Sequence, residues 1–128
     1  MKRVAAAVIY LGGKVLLTRR APGEKLAGLW EFPGGKLEAD ETPQHCIFRE
    51  IQEELGVGSI AGDILTESVF TYPGGTIRLI AVELTLNSTH FVLQVHDRVE
   101  WCAPCELLSY ELAPADIPIA MEIIRKYG

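Results

Sequence analysis

The feature that most restricts the fold of this chain is a segment punctuated at both ends. Thr42-Pro43 offers a capping hydroxyl followed by proline at the first helical position, and Gly56 offers a residue for a left-handed exit. The spacing predicts a helix from about Pro43 to Leu55. At about 100° per residue, Ile47, Phe48, Ile51 and Leu55 fall on one arc and are expected to face the core. Glu50, Glu53 and Glu54 fall on a separate arc, because i, i+3 and i+4 stack on one helical face. Like charges at that spacing cost about 0.2 to 0.5 kcal/mol per pair on an exposed helix, and all three lie toward the negative end of the helix dipole. Placements that violate local rules are expected at functional sites, and clustered hard oxygens suit Mg²⁺, with Mn²⁺ as a substitute. For the helix taken alone, a solvated acidic face is the competing reading.

Around this helix the chain reads as strands and one more helix. Val4 to Tyr10 and Val15 to Arg19 are apolar runs joined through Gly12-Gly13, which predicts a hairpin. Ile64 to Tyr72 and Thr76 to Leu86 flank Pro73-Gly74-Gly75 and predict a second. A short strand is expected from Arg98 to Cys102, and a closing helix from Pro118 to Tyr127, with Ile119, Ile123, Ile124 and Tyr127 at helical spacing. No repeat or linker divides the chain, so residues 1–128 are read as one α/β domain with a mixed sheet.

Composition removes several classes of function. With 48% hydrophobic and 23% charged residues the chain is not disordered, and its net charge of −5 has the wrong sign for gripping a nucleic-acid polymer. The longest apolar run, Val4 to Leu11, is far below the ~20 residues of a membrane helix. A signal peptide after Lys2-Arg3 is opposed by Gly12-Gly13-Lys14 where a cleavage site would stand, and three cysteines point to a reducing, cytoplasmic setting.

The acidic helix sits inside a longer pattern: Gly35, five residues, Glu41, seven residues, Arg49-Glu50-Ile51, one residue, Glu53-Glu54-Leu55-Gly56-Val57. Matching its seven fixed residues by chance, at ~6% each, is an event on the order of one in 10^8 per starting position. The pattern resembles the signature of the Nudix hydrolases. Glu31-Phe32-Pro33-Gly34-Gly35 and Leu112-Ala113-Pro114-Ala115-Asp116-Ile117-Pro118 are similar to the MutT-like branch, within it to the CTP pyrophosphohydrolases. The resemblance implies an α/β/α sandwich and hydrolysis of a nucleoside diphosphate linked to another group, through a metal held by residues 35–57.

Residue by residue, the resemblance implies that Glu50 and Glu54 are metal ligands with the backbone carbonyl of Gly34, and that Glu53 holds a further metal or an activated water. It places Glu41 within reach of the same cluster. Arg49, one turn before Glu53, is expected to pair with it as a structural residue. Gly35 and Gly34 are expected to allow a tight backbone course, and Gly56 to close the helix. Asp97, before Trp101, is the candidate for a further ligand or general base, with Glu100 as the alternative. Arg20 matches a phosphate-contacting arginine, its alternative being a solvated strand end. Asp116 matches a residue that reads the base. An ionised carboxylate only accepts hydrogen bonds, so it favours an exocyclic amine such as cytosine N4, while N1 and N2 of 8-oxo-dGTP also qualify. A helix cap is the other reading of Asp116. Phe32, Phe70 and Tyr72 are candidates for stacking on the base or for the core.

Trp101-Cys102-Ala103-Pro104-Cys105 looks like a thioredoxin-type active site, but too little chain follows for that fold, and Cys46 is expected to pack within the helix. The expectation is therefore a Mg²⁺-dependent nucleoside triphosphate pyrophosphohydrolase that yields a nucleoside monophosphate and pyrophosphate, cleanses the nucleotide pool, and acts as a monomer or homodimer. The alternatives are another substrate of the same family, such as ADP-ribose or a dinucleoside polyphosphate, and a non-catalytic nucleotide-binding module.

Overall fold

A computed structural model describes residues 1–128. Its first sheet is built on β1 (Lys2–Val8), which pairs antiparallel with β5 (Gly34–Lys36) on one side and parallel with β7 (Gly75–Leu86) on the other. The outermost strand, β6 (Ser59–Tyr72), forms the expected hairpin with β7. In the second sheet β3 (Lys14–Arg20) pairs antiparallel with β2 (Tyr10–Leu11), β4 (Trp30–Glu31) and β8 (His96–Cys102).

The first hairpin is a correction. Gly12 and Gly13, at φ 59° and 82°, do turn the chain. Yet only Tyr10 and Leu11 pair with β3, while β1 stops at Val8 and belongs to the other sheet. The apolar run is continuous because Ile9 is fully packed where the chain changes sheets. Strands β4 and β5 went unforeseen, since two or three residues carry too little alternation to read. Strand β8 begins at His96 rather than Arg98.

Helix α1 (Pro43–Leu55) has the expected bounds: Thr42 Oγ1 accepts from the His45 N–H, and Gly56 adopts φ 71°. Helix α2 spans Ile117–Tyr127. Strand alternation decides which face each helix covers. Ala5, Ala7 and Ile9 pack with Leu16, Ile80 and Val82 under Cys46, Ile47, Ile51 and Leu55 of α1. Ala6 and Val8 turn the other way, with Val15, Leu17 and Ala81, toward Ile119, Ala120 and Ile123 of α2. The result is an α/β/α sandwich with a mixed sheet. Each fully buried isoleucine of α1 contributes about 1.5 to 3 kcal/mol relative to an exposed one. Phe48, expected in this stripe, is 40% exposed, and Cys46 takes its place. No helix is long and apolar enough to cross a membrane.

Candidate metal and nucleotide site

The acidic arc of α1 does not form one uniform patch. Glu54 is buried, and its Oε1 accepts a hydrogen bond from the Gly34 N–H at 3.2 Å. Glu50 is largely covered, with its carboxyl lying against Gly35, whereas the Glu53 side chain is 58% exposed. The two glycines are required by close approach, not by turning. A Cβ on Gly35 would stand 2.2 Å from the Glu50 carboxyl carbon. A Cβ on Gly34 would collide with the carbonyl oxygen of Ala5, across the β1–β5 pair.

Arg49 anchors the outer side. Its Nε and Nη2 donate to the two oxygens of Glu41 at 2.9 and 2.8 Å, and its Nη1 donates to Glu50 at 2.9 Å and, more loosely, to both oxygens of Glu53 at 3.4 Å. The expected pairing of Arg49 with Glu53 is present but loose, and Glu41 is its chief partner. Glu41 also accepts from the Glu38 N–H and lies 2.9 Å from His45 Nδ1. The Arg49 fork holds the Glu41 carboxyl well below the usual carboxylate range. With its lone pairs spent this way, Glu41 fastens the loop before α1 to the helix.

On the inner side the balance reverses. Burial pushes the Glu54 carboxyl up to about 8, helped by the charges of Glu31 and Glu50, with Arg20 and the Gly34 N–H opposing. Burial also raises Glu50, against the pull of Arg49. The last turn of α1 holds no basic residue. A buried carboxylate facing other carboxylates, with hard oxygens beside an exposed backbone edge, fits a divalent cation. Glu54, Glu50 and the Gly34 backbone are the residues that would hold it. No three carboxylates, imidazoles or thiolates converge on a single point, so side chains alone do not form a complete cage.

Beside these groups opens a cavity of about 600 Å³, lined by Arg20, Glu31, Phe32, Gly34, Gly35, Tyr72 and Asp116 among others. The structure therefore gathers Arg20, Phe32, Tyr72 and Asp116, which lie far apart in sequence, around one space with Gly34 and Gly35. Phe70 instead packs on Tyr72 at a centroid distance of 4.6 Å. Asp116 is not a helix cap: it makes no capping bond, and its Oδ1 accepts from the Phe32 N–H at 3.0 Å. Burial raises its pKa well above the ordinary carboxylate value, with Glu31 adding to the shift. In its protonated form Asp116 can donate as well as accept.

Asp97 lies apart from these groups. A bulge at Arg19/Arg20 leaves it unpaired between Arg98 and His96, and both of its oxygens accept from Arg19 at 2.8 Å. It does not line the cavity, and neither does Glu100, which is paired with Arg98. Sequence reasoning missed Glu31 and His96. Glu31 Oε2 lies 2.9 Å from His96 Nε2, and Glu31 Oε1 lies 3.4 Å from Arg20 Nε. The sequence carried no signal for this pair, because the bulge that turns His96 and Asp97 to different partners has no mark of its own. Lys2, Lys25 and Lys36 add positive charge at the cavity mouth.

The three cysteines are unpaired, and burial raises the Cys102 thiol, the opposite of what a redox nucleophile needs. Cys46 is buried in α1, as expected, and its thiol is pushed up to about 12.

Residues 1–124 match the NUDIX domain family. The chain is 41% identical over 121 residues to the CTP pyrophosphohydrolase of Escherichia coli, covering 93% of this chain and 88% of that protein. It is 39% identical over 72 residues to the 8-oxo-dGTP diphosphatase of Haemophilus influenzae, covering 56% and 53%. The crystal structure of the MutT protein from Methanosarcina mazei superposes with a TM-score of 0.85 at 26% identity, covering 98% of this chain and 93% of that one.

Proposed function

The chain belongs to the Nudix family of hydrolases, and from that premise we propose that it is a Mg²⁺-dependent nucleoside triphosphate pyrophosphohydrolase of the nucleotide pool. The observation that carries this reading is the adjacency of Glu54, bonded to the Gly34 backbone, and a cavity large enough for a nucleoside with Arg20 on its wall. The relatives named for CTP and for 8-oxo-dGTP support a cytosine or oxidised guanine nucleotide as substrate.

In this scheme Phe32 and Tyr72 flank the base and Asp116 meets its edge. Arg20 and the mouth lysines draw the phosphate chain toward the carboxylates of α1. The cation, when bound, neutralises phosphate oxygens and makes water a stronger nucleophile near neutral pH. Glu50 and Glu54 would hold it, and Glu53, the most exposed of the three, would orient the water or take its proton. Water adds to one phosphorus, the anhydride bond breaks, and monophosphate and pyrophosphate leave. Three unpaired cysteines support the cytoplasm as the working compartment.

The test is a panel of canonical, oxidised and methylated nucleotides, with pyrophosphate release measured with and without Mg²⁺. Cytosine or 8-oxoguanine triphosphates are expected to be cleaved only with the metal. Glu53→Gln is expected to lower turnover by orders of magnitude while nucleotide binding survives. A wild-type protein that binds nucleotides and cleaves none would instead identify a sensor module.

A further inference from the structure

Trp101-Cys102-Ala103-Pro104-Cys105 takes no part in the site described above, and the fold brings its two thiols to one turn. Cys102 is the last residue of β8, pairs with Val15 of β3 and is buried, whereas Cys105 stands exposed on the short 3-10 helix Pro104–Ser109 that follows. One oxygen lies between them: the Ala103 carbonyl accepts from Cys102 Sγ at 3.2 Å and from the Glu106 N–H at 2.9 Å. The buried sulfur therefore faces the turn that holds Cys105. Burial raises the Cys102 thiol, Tyr110 opposes, and the nearby Glu106 and Cys105 add to the rise. Cys46 is no competitor for either thiol, because it packs under α1 on the other side of the sandwich. The same turn leads to the cavity wall. Leu107 is fully buried beside α2, and the Tyr110 ring meets Trp30 edge-on at 5.1 Å. The Trp30 backbone donates to the Glu111 carbonyl and accepts from the Ala113 N–H, and Ala113, Ala115 and Asp116 line the cavity.

We infer that Cys102 and Cys105 form a reversible redox site: a low-molecular-weight disulfide oxidises them to one intramolecular disulfide, which displaces the turn and slows nucleotide hydrolysis. The effect on turnover rests on the proposed function, and the thiol chemistry does not. The Cys105 thiolate, the accessible one, attacks a sulfur of glutathione disulfide, forms a mixed disulfide and expels one glutathione thiolate. Cys102 then gives its proton to solvent, attacks the Cys105 sulfur and expels the second glutathione. Two protein thiols have lost two electrons, and the external disulfide has become two thiols. A disulfide needs its Cβ atoms about 3.8 Å apart, so joining an exposed side chain to a buried one draws the first turn of the 3-10 helix inward and shifts Leu107 and Tyr110 with it. A bridge closed against such packing is readily reduced, which suits a compartment where lasting disulfides are rare.

The experiment incubates the full chain, without denaturant, in graded ratios of reduced to oxidised glutathione, blocks the remaining thiols and maps the tryptic peptide that follows Arg98 and ends at Arg125, which contains both cysteines. That peptide is expected to lose two hydrogens while Cys46 stays free. With it, kcat/KM for nucleoside triphosphates should fall about five- to tenfold and recover in dithiothreitol. Cys105→Ser, at an exposed position away from the cavity, should keep wild-type activity and lose the response. Cys102→Ala should stop at a glutathione adduct on Cys105. In the wild-type protein, no bridge, a mixed disulfide on Cys105 as the final product, or a bridge that leaves kcat/KM unchanged would each overturn the inference. A wild-type protein that turns over no triphosphate defeats the proposed function instead. Hydrogen exchange at the Trp30 and Ala113 amides then decides: oxidation should quicken it about five- to tenfold, and unchanged exchange sinks the coupling to the cavity wall.

Discussion

On the outer side of α1 one guanidinium serves Glu41, Glu50 and Glu53, whereas on the inner side Glu54, Glu31 and Asp116 share an arginine whose Nε bonds to none of them. Both groups are made of the same functional group, and they behave in opposite ways. A planar fork at 2.8 to 2.9 Å stabilises the charged form of Glu41 and makes it an internal fastening. Burial without such a partner destabilises the charged forms of Glu54 and Asp116 and leaves them in need of a proton, a cation or a ligand. Partner geometry, more than the number of acids, separates scaffold from site.

The largest test of this contrast is Glu54→Gln. If Glu54 is a metal ligand as proposed, its loss is expected to lower metal-dependent pyrophosphate release on the order of a thousandfold. Manganese titration by electron paramagnetic resonance should show the matching loss of binding, and turnover within tenfold of wild type would make Glu54 an ordinary core residue.

The next effect is in pH. Glu54 in the metal-free fold titrates near 8 against 4.5 for the unconstrained side chain, so between those values the folded state keeps a proton that the unfolded state has lost. Stability of the metal-free protein should therefore fall as pH rises through this window, by an amount on the order of a few kcal/mol, with Asp116 acting in the same direction. Glu41 has the opposite sign: its depressed pKa contributes stability above the usual carboxylate range that is lost on acidification. Denaturant titrations across pH should show the alkaline slope flattened in Glu54→Gln and in saturating Mg²⁺.

Arg49→Met removes the fork and leaves Glu41 unpaired. The expected result is a Tm lower by roughly 5 °C or more, without rescue by Arg49→Lys, whose single ammonium cannot serve both oxygens of Glu41. A Tm unchanged within a degree would show the outer network to be decorative.

A local contrast separates two adjacent glycines. Gly34→Ala drives a methyl into the Ala5 carbonyl and should cost about 2 to 4 kcal/mol of stability. Gly35→Ala meets only the movable end of Glu50, so the fold should survive while metal affinity drops about tenfold. Equal stability losses would remove the distinction.

Local chemistry made much of this legible. The caps at Thr42 and Gly56 bound α1, the turn at Pro73-Gly74-Gly75 joins β6 to β7, and the spacing of Glu50, Glu53 and Glu54 marked the acidic face of α1. Phe48 was misread because a helical arc sets an angle about one axis and cannot say how wide a strip the sheet will cover. The pairing of Asp97 with Arg19 was not legible, because a bulge shifts side-chain parity, and a bulge has no sequence mark of its own here.

What the sequence determined by itself is which residues form each main element and which face of that element they share, because caps, turns and periodicity act within a few residues. What only the tertiary structure decided is the electrical environment of those faces. Glu54 meets Gly34 across 20 residues, Glu31 meets His96 across 65, and Phe32 meets Asp116 across 84. Whether an acid is paired, buried or exposed is set by such distant partners and by the water they exclude, and periodicity along a single element contains no measure of either.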